Sequence, residues 1–170
     1  ALLLLITYSA GGLMGLSVNV VVNLAAFLFI LPFFLFSGIA GEMADRYEKS
    51  RIIRNVKLAE IVVMAVAALG LWFGWYELLL VLLFLMGTQS TFFGPVKYAI
   101  LPQHLRKTEV LAGTGLVEAG TYVAILFGTI IAGWIPVEAA MVAIIMTALV
   151  GYAMSRQIPA APALGEIEPI

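Results

Sequence analysis

Apolar residues run almost without interruption through most of this chain, and the polar breaks between the runs are short. Several runs reach about 19 residues or more, enough for a helix to cross a hydrocarbon core of about 30 Å. The pattern predicts a partial helix over 1–10 and spans near 16–40, 55–73, 77–96, 109–133 and 136–154. Short connections at 11–15, 74–77 and 134–136 join spans at one end, and the segments 41–54 and 97–108 join them at the other. No run alternates apolar and polar residues over about ten positions, so a membrane barrel is not predicted. The opening run reads as a truncated helix rather than a signal peptide, since it has neither a basic start nor a cleavage site. The bundle is expected to occupy 1–156, and 157–170, rich in Pro and Ala, reads as a surface linker or tail.

Composition agrees with a lipid environment: 63% of residues are hydrophobic and 11% charged, against about a quarter charged in an ordinary soluble domain. The net charge of −1 becomes informative only once the charges are placed. All nine basic residues (Arg46, Lys49, Arg51, Arg54, Lys57, Lys97, Arg106, Lys107 and Arg156) fall at one end of the predicted layout. By the positive-inside rule that end is cytoplasmic. Trp72, Trp75 and Trp134 fall at the opposite end, where indole rings suit the headgroup layer. The chain has no cysteine and one histidine, His104, so neither disulfides nor multi-histidine metal sites are open to it. No cofactor is expected, and nothing points to nucleic acid. His104 reads as a solvated loop residue. A glycine-rich phosphate loop, a serine nucleophile elbow and an acyltransferase-type His/Asp pair are all missing from the sequence, so enzyme chemistry is not predicted.

Some polar residues within or beside the spans stand out. The segment GEMADRYEKSR, 41–51, suggests a tight turn at Gly41 followed by a carboxylate and several cations at the membrane surface. Asp45 can meet a helix N-terminus or a guanidinium, and the cations can attract anionic headgroups; the whole segment can equally be a topology anchor. In the span 109–133, Gly120, Ala124, Gly128 and Ala132 form a small-residue stripe that permits close helix contact. Thr114, Glu118, Thr121, Tyr122 and Thr129 form a polar stripe beside it. Glu118 lies roughly 13 Å into its span, where a carboxylate costs at least ~2.5 kcal/mol. It reads either as a substrate- or ion-contacting group or as a protonated carboxyl bonding a neighbouring helix. Lys57 and Glu60 are spaced to pair on one helix face. Asn23 and Gln89 either line a cavity or link helices, Lys97 either meets a phosphate or snorkels, and Pro32 is placed to kink its helix.

Three stretches together resemble a known family: GEMADRYEKSR at 41–51, FFGPVKYAIL at 92–101 and TGLVEAGTYVAIL at 114–126. The Gly-x-x-x-Asp-Arg pattern at 41–46 is similar to the signature loop of the major facilitator superfamily, between its second and third helices. The other two stretches resemble that superfamily's bacterial lysophospholipid transporter branch, which also occurs fused to acyltransferase and acyl-carrier-protein synthetase domains. Glu48 departs from the pattern, where the general loop favours glycine. The resemblance implies an all-α fold, the N-terminal six-helix half of a major facilitator with its first helix truncated, in a bacterial inner membrane. It implies movement of lysophospholipid toward the cytoplasmic leaflet for re-acylation, with membrane lipids and the C-terminal half of the same transporter as partners. Gly41, Asp45, Arg46, Lys49 and Arg51 would form an inner-gate loop. Asn23, Gln89, Lys97, Glu118, Thr121 and Tyr122 would line the substrate or ion path. Two alternatives stay open: a facilitator for another solute, such as a drug or metabolite, and a non-transporting anchor for a fused acyltransferase.

Overall fold

The structure, a computed structural model, describes residues 17–163, so the partial helix read at 1–10 lies outside the described residues. Among these residues six helices form in chain order: α1 Val18–Arg46, α2 Lys49–Phe73, α3 Tyr76–Ala99, the short α4 Leu101–His104, α5 Val110–Trp134 and α6 Val137–Ser155. Five of them, all except α4, are long and apolar enough to cross a membrane. Large apolar side chains such as Phe34 and Leu111 stand outward, at 81% and 85% exposure. A soluble monomer would present such a surface only in patches; on membrane-length helices it suits contact with lipid or with further helices. The fold is all-α and transmembrane.

Packing follows from small residues placed on single faces. On α1, Val21, Ala25, Pro32, Ala40 and Ala44 are buried at helical spacing, and this stripe packs on α3. The closest approach is at Gly87 of α3. A β-carbon there would stand 2.2 Å from the Phe29 carbonyl oxygen and 3.1 Å from Cγ of Pro32, so only glycine admits α1 at this depth. Pro32 has no N–H for the carbonyl four residues earlier, and burying it against α3 keeps that irregular turn out of the lipid. Phe36 extends the contact, with its ring 6.5 Å from that of Phe84 and 6.3 Å from that of Phe92. On the other side, α2 packs on both α3 and α6. Thus α3 is the shared wall of the bundle.

The α2–α3 turn is fixed by Gly74, whose φ of +69° is the left-handed conformation that suits glycine. The Trp75 N–H donates to the Gly70 carbonyl at 2.8 Å and the Gly74 N–H to that of Leu71 at 3.3 Å, the paired bonds of a Schellman helix end.

At the basic end the structure differs from the sequence reading. No turn forms at Gly41: α1 continues through Asp45 and Arg46, and the chain bends only at Tyr47 and Glu48. Ala40 and Ala44, both buried, carry the packing face of α1 past Gly41, so tertiary contact holds the helix where glycine alone would weaken it. Helix α5 stands apart. Of its residues only Ala132 is buried, and it meets the other helices chiefly through α4.

Replacing Gly87 by Ala should lower stability in detergent by about 2 kcal/mol or more, since the clash is with backbone rather than a mobile side chain. Gly38→Ala, where a β-carbon meets nothing within 4 Å, should not destabilise. Thermal unfolding of the two variants side by side checks this.

Candidate functional site: a lysine–glutamate contact between two spans

Lys97 sits in the last turn of α3, two residues after Pro95 and next to the fully buried Val96. Its side chain does not run out to water. Nζ lies 3.6 Å from Oε1 of Glu118 and 3.5 Å from the Thr121 hydroxyl, both on α5. It also lies 4.6 Å from the centre of the Tyr98 ring, within the range of a cation–π contact. Glu118 is eight residues past the start of α5, roughly 12 Å along the helix axis. The lysine side chain is 19% exposed and the glutamate 35%.

This geometry has two consequences. Each charge offsets the cost of holding the other at membrane depth, which for one alone is at least about 2.5 kcal/mol. The contact is also loose, because 3.6 Å is an ion contact rather than a formed hydrogen bond. The partners can therefore separate toward other charged groups without breaking a formed hydrogen bond. The stripe's threonines are otherwise satisfied within their own helix: Thr114, Thr121 and Thr129 donate to the carbonyls of Val110, Val117 and Ile125.

The other residues singled out from sequence do not join this cluster. Asn23 is exposed on α1 and has no side-chain hydrogen bond to a described residue. Gln89 is half-buried on α3, with its Oε1 buried and unpartnered among the described residues. Tyr122 points outward at 67% exposure. At the basic end, Arg46 pairs with Glu42 at 2.8 Å, one turn back on α1. Arg51 pairs with Glu48 at 2.5 Å. Asp45 is exposed and makes no ion pair among the described residues, and a side chain at Gly41 would meet nothing. Lys49 is fully buried, with its Nζ 3.3 Å from the Pro162 carbonyl oxygen. Lys57 pairs with Glu60 at 2.6 Å as their spacing predicts, and also lies 5.0 Å from the Phe93 ring centre. No group of three or more His, Asp or Glu residues gathers among the described residues to hold a metal.

Sequence reasoning singled out Lys97 and Glu118 separately, with no sign that they meet. One available signal was depth. Lys97 lies seven residues before the end of α4 and Glu118 eight after the start of α5, which places them at similar levels.

Membrane-length helices, basic residues gathered at one end and a compensated ion pair within the spans define a multi-pass helical membrane protein. Its curated homologues are bacterial. It is similar to the "Lysophospholipid transporter LplT" of Photorhabdus laumondii, 27% identical over 122 residues, covering 72% of this chain and 29% of the relative. The proteins of the same name from Salmonella enteritidis PT4 and Escherichia coli O1:K1 / APEC are 28% and 26% identical. Those matches cover 74% and 72% of this chain, and 30% and 29% of the relatives. The chain thus spans about three tenths of the length of the curated relatives it matches. No protein-family model and no solved structure matches it. The relatives are named as transporters rather than enzymes, and a helical bundle related to them is a protein of the bacterial inner membrane.

Two outcomes are expected. In a double-mutant cycle measured by unfolding in detergent, Lys97→Met and Glu118→Gln should each destabilise, and the double variant should recover part of the loss. The expected coupling is about 1 kcal/mol, reduced from a buried-pair value by the partial exposure of both groups. Separately, the Ser50 hydroxyl, with the Arg51 guanidinium, holds the Glu48 carboxyl below its usual range against the opposing effect of burial. The pair's contribution is therefore complete above the ordinary carboxylate range and is lost as pH falls through the lowered value. Carboxyl-resolved NMR titration should show Glu48 protonating below a free glutamate, and Ser50→Ala should move it upward.

Proposed function

We propose that this chain is the N-terminal six-helix half of a major-facilitator transporter that moves lysophospholipid toward the cytoplasmic leaflet, where it can be re-acylated. The observation that carries the reading is the loose Lys97–Glu118 contact with Thr121 beside it, at membrane depth between α3 and α5. A lysophospholipid has a phosphate, often a cationic amine, and one acyl chain. Lys97 supplies a cation for the phosphate and Glu118 an anion for the amine, and both contacts are charge-assisted. The acyl chain needs no polar path. The outward apolar side chains of α5, among them Leu116, Ile125 and Phe127, leave it a course along the lipid. On this reading the basic end is cytoplasmic. The partner half completes the path, and the two halves rock about the site to give alternating access. Asp45, at the exposed end of α1, faces that half and contributes to the inner gate. Asn23, Gln89 and Tyr122 meet substrate or the remaining helices.

The test uses full-length protein in vesicles. Glu118→Gln should cut uptake of lysophosphatidylethanolamine roughly tenfold, corresponding to a lost charge-assisted bond of about 1.4 kcal/mol. Uptake of lysophosphatidylglycerol, which has no amine, should fall less. Lys97→Met should reduce both, since both carry the phosphate. Equal losses in Glu118→Gln would assign Glu118 to packing or proton coupling, and no uptake of either lipid by the unaltered protein would exclude the substrate class.

A further inference from the structure

The cations that follow α1 have a use within this chain. After α6 the chain turns back, and residues 158–163 cross the basic end of the bundle. The Lys49 N–H donates to the Ala161 carbonyl at 2.9 Å, and the Lys49 Nζ to that of Pro162 at 3.3 Å. Nη2 of Arg54 donates to the Ile158 carbonyl at 3.0 Å, and Nε2 of Gln103 on α4 to that of Pro162 at 3.1 Å. Ala161 and Ala163 are 0% and 7% exposed, and Ile158 packs on the apolar cluster of Ala44, Ile53, Val96 and Ile100.

The chemistry explains the arrangement. A fully buried ammonium must find acceptors, and no carboxylate lies within ion-pair distance of Lys49 among the described residues, so backbone carbonyls serve. Pro159 and Pro162 restrict the residues before them to extended conformations, which turns the carbonyls outward from the segment. Every polar grip is on the main chain of 158–163: Lys49 and Arg54 of α2 and Gln103 of α4 hold its carbonyls, and the Glu48 carboxylate before α2 takes a backbone hydrogen bond from Ala161. The segment is therefore a bridge between α2 and the end of α3. Beside it lies an open groove of about 940 Å³, lined by Arg46, Glu48, Arg51, Arg54, Pro162 and Ala163 among others.

We propose that residues 158–163 are a strap that closes the basic end of the bundle, held by Lys49, Arg54 and Gln103, and that its release lets α2 and α3 part there. The tight α1–α3 contact at Gly87 cannot slide, because it is backbone against backbone. The strap adds to the direct packing of α2 on this wall by a few hydrogen bonds and the apolar side chains of Ile158, Ala161 and Ala163, and its hydrogen bonds can exchange for water, which makes it the weaker join. The assignment stands on the geometry of this chain and needs no particular substrate.

This chain has no cysteine, so single cysteines introduced into it report cleanly once any cysteine outside it is replaced by serine. In full-length protein in nanodiscs, with both faces accessible, Ala161→Cys should react with a polar maleimide at least tenfold more slowly than Ala160→Cys, which is exposed. Lys49→Met with Arg54→Met should speed the reaction at position 161 at least fivefold. Arg51→Met, which removes a cation that pairs with Glu48 instead, should not. A cysteine at buried Ala67, unreactive throughout, shows that the bundle stays folded; should the double variant fail this control, Gln103→Ala with Arg54→Gln replaces it. Spin labels at Asn55 on α2 and Tyr98 on α3 should move apart when the grips are removed. Equal reactivity at 160 and 161 would overturn the strap, and an unchanged distance between the labels would overturn its release as the opening step. Neither measurement uses a lipid substrate, so the strap and its release are tested even where lysophospholipid uptake fails.

Discussion

The approach of α1 to α3 at Gly87 is the constraint on which the rest of the bundle depends. The Phe29 carbonyl occupies the space a side chain would need, and Pro32 fills the hollow beside it. With α1 held on one side of α3 and α2 on another, the remaining side of α3 near its end is where Lys97 emerges. The ion pair with α5 is thus placed by glycine and proline geometry two turns or more away. Apolar burial alone would not do this, since hydrocarbon solvates these helices as well as they solvate each other. Close backbone approach and satisfied polar groups are what give such a bundle a defined arrangement.

Charge is handled in three ways along one axis. At the basic end, Arg46 and Arg51 stay exposed and pair with carboxylates on their own helix or turn, contacts worth little individually. Deeper in, Lys57 is committed: Glu60 at 2.6 Å, the Phe93 ring and close passage over Gly151 of α6 leave it no second partner to exchange for. Lys97 is held by longer contacts to two residues of a helix that is itself sparsely packed. Lys57, like the fully buried Lys49, is thus tied into the structure by close contacts, whereas those of Lys97 are longer.

Much of the fold was legible because it follows from single-chain properties. Apolar runs long enough to span gave the helices, and Lys57–Glu60 followed from spacing alone. The misread turn at Gly41 shows where such reasoning stops. Local propensity favoured a break, but Ala40 and Ala44 extend a packing face that appears only when α3 is present. The Lys97–Glu118 contact joins residues on different helices, so it could be anticipated only as two separate oddities at similar depth. The docking of 158–163 was hidden for a different reason. Its partners are carbonyl oxygens, which every residue has, and no side-chain pattern in the tail announces them.

The tight connection at Gly74 also bears on how the protein enters a bilayer. Helices α2 and α3 are joined by two residues, as are α5 and α6, so each pair can insert as a closed hairpin with its tip leading. The only ionisable carboxylates near those tips are Glu77 and Glu138, each in the first turn of the helix it begins, where the helix dipole favours a negative charge. No lysine or arginine has to be dragged through the hydrocarbon with either tip. With the basic end cytoplasmic, as proposed, the translocation work of biosynthesis is kept to two acidic groups, which resist crossing less than basic ones do, and the cations stay on the side where the chain is made.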